Sequence, residues 1–382
     1  MIIGVPREIV DKEFRVAVTP QGAHELVLEG HVVLVEKGAG EGSSISDADY
    51  VAAGAVIIPG PGDVHAEAGL ILKVKEPQEL EYPLLREGQI VFTFLHLAAQ
   101  RRLTEELLRR GVIAVAYETV QRPDGSLPLL APMSEVAGRM APQVGAHYLE
   151  KMNGGRGMLL GGATGVAPAN VVILGAGLVG SNSAILATGM GAHVIVLDKN
   201  LVKLRYLERI LHGRVSTLIS NKMNVSEMVR GADLVIGAVL IPGARTPILV
   251  DENVVREMRP GSVVVDISID QGGCITTSRP TTHSDPVYFE HEVLHYCVGN
   301  LPGAVPWTST FALTNVTLPY VQEIADLGLD GAIRRDPSLA KGVSIIEGRV
   351  TSRPVAEAHE LEYEPLEHIL PIDVSSEQLF GE

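Results

Sequence analysis

Apolar residues in this chain gather into short continuous runs, and amphipathic stretches separate the runs. In the first 130 residues the runs are 2–5, 31–35, 55–58, 70–75, 89–95 and 112–117. Segments 21–29 and 100–110 between them space their apolar residues at helical intervals. The alternation predicts a mostly parallel sheet built from βαβ units. A Pro-rich stretch with no strand pattern follows at 122–132. A helical segment is then expected at 134–152, with Ser134 as its N-cap and Pro142 as a kink. A second series of runs, 171–174, 193–197, 215–219, 233–239, 262–267 and 293–298, predicts a second doubly wound unit. After Pro302 and Pro306 the pattern turns helical, at 309–326 and again near 331–341. Neither stretch is a self-standing domain. The simplest account is that the chain returns to the first domain, which is then discontinuous. Residues 355–382 hold eight acids and no Lys or Arg, and read as a solvated or loosely packed end.

The second series opens on the most informative stretch of the chain, Val171-Val-Ile-Leu-Gly-Ala-Gly-Leu-Val-Gly180. A strand runs into Gly175, Gly177, Leu178, Val179 and Gly180, and a helical pattern follows. In such a turn Gly175 permits the tight bend, Gly177 lets the backbone approach a pyrophosphate, and Gly180 allows close packing of helix on strand. The free N–H groups at the helix start face the phosphate charge. The next strand ends in Asp198, where a carboxylate accepts hydrogen bonds from ribose hydroxyls and repels a 2′-phosphate, which favours NAD. The expected fold is therefore α/β: two doubly wound, Rossmann-like domains separated by a cleft, the N-terminal one discontinuous. The expected boundaries are 1–130 for the first part of a substrate and catalytic domain, 131–305 for the NAD-binding domain, and 306–382 for the return, ending in the acidic tail.

Composition narrows the partners. The 382 residues are 46% hydrophobic, enough for a core in each of two domains. Against 46 Asp+Glu stand 31 Lys+Arg, a formal charge of −15, which argues against nucleic acid or an anionic membrane as main partner. The two cysteines, Cys274 and Cys297, have no metal-ligand spacing and fit a reducing compartment, so no metal is expected. No signal peptide is visible at the start, and the apolar stretch 232–241 is about half a membrane span. No metalloprotease, nucleophile-elbow, P-loop or EF-hand motif is present.

Ligands of open α/β sheets bind at the carboxyl ends of the strands. In the first domain that edge offers Arg15 after strand 2–5, Lys75 after strand 70–75 and His96 after strand 89–95. Arg supplies a fork for a carboxylate, Lys a point charge, and His a proton exchanger near neutral pH. Lys73 shares a strand face with Lys75, so position alone does not separate them. In the second domain the loop after strand 262–267 approaches the nicotinamide end of a bound cofactor and carries Asp270, a candidate proton acceptor. Asp266, inside that strand, reads as structural.

Across nearly its full length the chain resembles the bacterial L-alanine dehydrogenase family. The matching stretches are Gly4-Val-Pro-Arg-Glu8, Arg15-Val-Ala-Val-Thr-Pro20, Lys73-Val-Lys-Glu-Pro77, Thr93-Phe-Leu-His-Leu97, Ala131-Pro-Met-Ser-Glu-Val-Ala-Gly-Arg139, the glycine loop, Asp266-Ile-Ser-Ile-Asp-Gln-Gly-Gly273 and Gly299-Asn-Leu-Pro-Gly303. The resemblance implies that Arg15 and Lys75, rather than Lys73, hold the substrate carboxylate and carbonyl. It implies His96 and Asp270 as a catalytic pair, expected to meet across the cleft. It implies cofactor contacts at Ser134, Asp198, Lys203, Ser220, Val239, Leu240, Ile267, Ser268, Ile269, Asp270, Val298, Gly299, Asn300 and Leu301. The implied activity is reversible NAD-dependent oxidative deamination of L-alanine to pyruvate and ammonium, in a cytoplasmic homohexamer. The alternative is the NAD(H)-binding, hydride-relaying part of a proton-translocating transhydrogenase. Against it, segment 133–143 has the dehydrogenase form, and no membrane helices follow.

Overall fold

Both sheets wind their strands in the same order. The computed structural model describes residues 1–239 and 246–370. In the first sheet β1 (Ile2–Val5), β2 (Val32–Glu36), β3 (Val56–Ile58), β4 (Leu70–Leu72), β5 (Ile90–Thr93) and β6 (Ile113–Ala116) lie in the order β3-β2-β1-β4-β5-β6, all parallel. In the second, β7 (Asn170–Leu174), β8 (His193–Asp198), β9 (Ser216–Ile219), β10 (Leu234–Gly237), β11 (Val263–Asp266), β12 (Val287–Glu290) and β13 (Val293–Tyr296) give β9-β8-β7-β10-β11-β13, with β12 antiparallel at the outer edge. Chain direction across the sheet reverses between β1 and β4 and between β7 and β10, and each reversal opens a crevice at the carboxyl ends.

The strands read as unbroken apolar runs because both faces of each sheet are covered. Val171, Ile173, Val194 and Val196 join one apolar layer, while Val172, Leu174, Leu197 and Val235 join the layer on the other face. Likewise Ile3, Val5, Leu70 and Leu72 face one layer of the first sheet, and Ile71, Val91 and Ala114 face the other.

The chain divides into two compact units, Met1–Met133 with Val305–Glu382, and Ser134–Ala304. Within the first unit, helix Pro306–Arg335 lays Leu313, Tyr320, Val321 and Ile324 into the same apolar layer as β1 and β2, and breaks its helical path at Gly328 (φ 69°). Strands β14 (Val343–Ile346) and β15 (Arg349–Val350) then extend the first sheet, β14 running antiparallel to β6.

The structure corrects several local expectations. Helix Ala131–Leu149 starts three residues before Ser134, so Ser134 is not its N-cap. Pro132 lies in the first helical turn, where a missing N–H costs nothing, so the Pro-rich stretch feeds the helix instead of delaying it. Segment 331–341 is helical only in part. It holds the end of the long helix and a short 3₁₀ stretch, Pro337–Gly342, that leads into β14. The described part of the acidic end is packed. Helices Arg353–His359 and Leu366–Ile369 bury Val355, Ala356, His359 and Leu366, and His359 Nε2 lies 2.6 Å from the Leu97 carbonyl. Apolar residues set between the acids let one side pack while the carboxylates stay in water.

Candidate active site

The loop after β1 carries Arg15, and burial decides what it needs. Its side chain is almost wholly excluded from solvent, and an unpaired buried charge is costly. Glu13, two residues earlier and equally buried, takes up the charge. Arg15 Nε and Nη2 donate to Glu13 Oε1 and Oε2 at 2.7 and 2.5 Å, a bidentate pair, and Nη1 lies 3.1 Å from Met133 Sδ. The guanidinium is thus fixed in orientation by its own loop and by the start of helix Ala131–Leu149.

Lys73 and Lys75, two residues apart, have different surroundings. Lys73 is 1% exposed, with its ammonium 2.7 Å from Glu81 Oε1 and 3.1 Å from Glu8 Oε2. Burial alone would lower its pKa, but the two carboxylates outweigh burial and raise it, so the lysine stays charged. Burial pushes the Glu8 carboxyl upward against the pull of Lys73, with Glu81 adding to the rise. Lys75 keeps 17% side-chain exposure and has only a loose ion pair, 3.8 Å from Glu76. Lys73 is therefore committed to its carboxylates, and Lys75 is the lysine available to a ligand. The expected strand 70–75 stops at Leu72 because the Val74 and Lys75 amides turn to Glu8 Oε1, at 2.6 and 3.2 Å, instead of to a neighbouring strand.

His96 follows β5 in the left-handed region, φ 48° and ψ 37°, where a non-glycine residue carries strain of order 1 kcal/mol or more. Glu118, just beyond β6, holds it there. The His96 amide donates to Glu118 Oε1 at 2.6 Å, and the Leu95 amide reaches both carboxylate oxygens at 3.2–3.3 Å. The imidazole is half exposed, stacked on Phe94, with Nδ1 3.9 Å from Glu118 Oε1. It is positioned by its backbone and open to a ligand.

The carboxyl edge of the second sheet is built from different material. A Cβ on Gly175 (φ 107°) would meet the Ala238 carbonyl at 2.5 Å, and one on Gly180 would meet the Gly175 carbonyl at 1.9 Å. Only glycine lets turn, helix and neighbouring strand close to this distance. Gly177, at the N-cap of helix Leu178–Gly189, faces open space, with nothing within 4 Å of its Cβ direction. Leu178 and Val179 open the helix, whose first amides are unpaired within it. The cradle fits a pyrophosphate.

Asp198 ends β8 and accepts from the Ala176 amide at 2.6 Å and the Asn200 amide at 2.7 Å, which ties the glycine turn to the next strand end. The Ser220 amide donates to the Asp198 carbonyl at 3.0 Å. Lys203 is exposed in the first turn of helix Leu201–Ile210. Ser134 is half-buried inside helix Ala131–Leu149. Val239, after β10, donates its amide to Ser268 Oγ at 3.0 Å, so the loops after β10 and β11 are joined. Leu240 lies outside the described residues.

The 3₁₀ stretch Ile267–Gln271 buries Ser268 and Ile269 and leaves Asp270 exposed. Below it Asp266, buried, accepts from the Ser268 and Cys274 amides at 3.1 and 3.0 Å, and burial pushes its carboxyl upward. In the loop after β13, Val298 and Leu301 are buried and Asn300 is left-handed (φ 60°). Gly299 passes so close to Asp270 that a Cβ there would lie 2.9 Å from Asp270 Oδ1. The glycine turn, Asp198, Ser220, Val239, the 267–270 stretch and residues 298–301 thus share one sheet edge, a set that fits a nicotinamide dinucleotide.

Sequence reading missed the acids behind the basic groups. Glu8, Glu13 and Glu118 each look like solvated loop charges. The available signal is weak: Glu8 and Glu13 lie in the same loop as Arg15, and Glu118 follows a strand end.

Residues 4–137 match the family domain described as "Alanine dehydrogenase/PNT, N-terminal domain", and residues 141–353 match its C-terminal counterpart. An alanine dehydrogenase of Methanococcus maripaludis is 54% identical over 371 residues, covering 97% of this chain and all of the relative. A solved structure titled L-alanine dehydrogenase superposes with a TM-score of 0.91 at 50% identity, covering 94% of this chain and 99% of that one. A transhydrogenase structure from Sinorhizobium meliloti shares the fold, with a TM-score of 0.78 at 23% identity, covering 92% of this chain and 99% of that one. With both family domains matched in order and more than half the residues of a full-length relative shared, the chain belongs to the alanine dehydrogenase/PNT family.

Proposed function

We propose that this chain is an L-alanine dehydrogenase, an oxidoreductase acting on the CH–NH₂ group. It interconverts L-alanine, NAD⁺ and water with pyruvate, ammonium, NADH and a proton. The observation that carries the reading is the identity of 54% sustained over the whole length of an alanine dehydrogenase. The transhydrogenase reading has less support, since 23% identity speaks for the fold alone.

NAD, when bound, supplies the hydride acceptor. The rest of the work falls to the chain's own side chains. The glycine turn and the start of helix Leu178–Gly189 take the pyrophosphate, and Asp198 takes the adenosine ribose. Arg15, held rigid by Glu13, grips the substrate carboxylate, and Lys75 holds the substrate oxygen. Fixing a small acid at two points contributes on the order of 7 kcal/mol by orientation when the fit is tight. His96 and Asp270 are the proton carriers. One removes a proton from the water that adds at the α-carbon, and a proton is returned to the departing amine. A homohexamer in the cytoplasm is part of the same proposal. Among the described residues no helix is long and apolar enough to cross a membrane.

The test is NADH production from L-alanine, L-serine and glycine, beside NADH oxidation with pyruvate plus ammonium. Turnover with alanine and pyruvate is expected. Hydride exchange between NADH and an oxidised NAD analogue, with no turnover of any amino acid, would favour the relay reading.

A further inference from the structure

Lys75 has no built-in partner strong enough to place it, yet its backbone is fixed from both sides. Its N–H donates to Glu8 Oε1 at 3.2 Å, and its carbonyl accepts from Thr93 Oγ1 at 3.1 Å. Glu8 and Thr93 are both buried, Thr93 completely. Glu8 Oε1 also takes the Val74 amide at 2.6 Å, so one carboxylate oxygen gathers two successive amides of the loop after β4. The other oxygen faces Lys73, which Glu81 holds from the far side. Glu81 is itself pinned by the Gln78 amide at 2.8 Å. Three buried charges therefore surround a short loop whose one partly exposed cation is Lys75.

A cluster of this kind is no bargain in stability, since apolar side chains of similar volume often serve as well. What apolar side chains do not provide is an acceptor at the height of the Val74 and Lys75 amides.

We propose that Glu8, backed by Lys73 and Glu81 and assisted by Thr93, is a positioning residue that sets the reach of Lys75 toward the substrate. The proposal rests on the assignment of Lys75 as a substrate-binding residue.

The experiment uses the full chain and compares four variants by steady-state kinetics and thermal unfolding. Glu8→Ala removes the acceptor and is expected to raise KM for pyruvate about tenfold or more, with kcat changed less than about threefold and KM for NADH within about twofold. Glu8→Gln keeps an oxygen for the two amides while losing the charge. It is expected to unfold at a lower temperature than the parent yet restore KM for pyruvate to within about threefold of it. Thr93→Val, close to isosteric, removes only the hydroxyl on the Lys75 carbonyl and is expected to raise KM for pyruvate about threefold or more. Gln89→Leu breaks a buried contact at the opposite, amino end of β5, where Gln89 Nε2 holds the His65 and Ala68 carbonyls at 2.8 Å. It is expected to lower the unfolding temperature with KM for pyruvate unmoved.

KM within twofold of the parent in both Glu8→Ala and Thr93→Val would overturn the proposal. So would a rise in Gln89→Leu matching that in Glu8→Ala, because KM would then track stability alone. If Glu8→Ala does not fold, an unmoved KM in Thr93→Val is enough to overturn it. Lys75→Ala in the same assay separates the two levels of the argument. If it leaves KM for pyruvate unmoved, the assignment of Lys75 falls and the positioning role falls with it. If it raises KM while Glu8→Ala and Thr93→Val do not, only the positioning role falls.

Discussion

The two sheets share a strand order, but their carboxyl edges are made of opposite materials. The first edge carries Arg15, Lys75 and His96, each with a carboxylate against its side chain or its backbone: Glu13, Glu8 and Glu118. The second carries glycines, free amides and joined loops, with Asp198 spending its oxygens on the backbone amides of Ala176 and Asn200. The difference follows from what each edge is proposed to hold. A three-carbon acid offers little surface, so a few strong charges must grip it, and each buried charge then needs a partner of its own. A dinucleotide is long and offers phosphates and hydroxyls, which backbone donors and close approach can hold without side-chain charge.

The contrast is broken most severely at Gly180. A methyl group there meets the Gly175 carbonyl at 1.9 Å, so Gly180→Ala must push the helix off the turn. NADH affinity is expected to fall by about 10²-fold or more, well above what one lost hydrogen bond gives. A fluorescence titration that finds it within threefold of the parent would show that the close approach is dispensable.

On the first edge, His96→Ala is expected to lower kcat by about 10²-fold, the scale of a lost general acid or base. NADH affinity should stay within twofold, because the glycine turn is untouched. Arg15→Lys keeps the charge but loses the fork to Glu13, and pyruvate kcat/KM is expected to drop by about tenfold or more, again with NADH affinity unmoved. Parallel losses of pyruvate and NADH binding in either variant would erase the division of labour between the edges.

Much of this division is legible in the sequence, and the rest depends on burial and on pairing in space. Twelve of the strands announce themselves as apolar-rich runs, most of them because burial on both faces leaves little room for polar residues. The short antiparallel pieces β12, β14 and β15 do not, since they are only two to four residues long and include polar residues such as Glu290, Ser344 and Arg349. Arg15 and His96 are visible as positions after strand ends, and the glycine turn as a spacing. Their supports are harder to see: Glu13, only two residues from Arg15, looks like a solvated loop charge, while Glu118 stands 22 residues from His96 and Glu8 stands 66 from Val74. Lys73 and Lys75 share a face in the sequence pattern. Burial, which the pattern does not carry, tells them apart.

Two smaller effects sharpen the second edge. Asp198→Ala should narrow the preference for NAD⁺ over NADP⁺ by about tenfold, the scale of one unfavourable charge contact, read as the ratio of kcat/KM values. An unchanged ratio would place the discrimination elsewhere. The cysteines should add nothing to the chemistry. Burial holds the Cys297 thiol up at about 11, and pushes the Cys274 thiol well above its ordinary value. Both stay protonated and inaccessible, so a thiol reagent at pH 8 is expected to modify neither in the folded protein and both after unfolding. Rapid modification of either in the folded state would contradict their place in the core.

The pairing of β6 with β14 also has a consequence in time. β6 closes at Ala116, and the strand that covers its outer edge opens at Val343. At about 5–20 residues per second, the roughly 230 residues between them take about 10–45 s to synthesise. Through that interval the apolar edge Ile113–Ala116 presents bare amides and carbonyls that no later strand has yet reached. Every strand of the second sheet leaves the ribosome in the same interval. The sheet that starts at Ile2 is therefore completed only after the strands of the second sheet have been made, and its β6 edge stays open to wrong pairing throughout that interval.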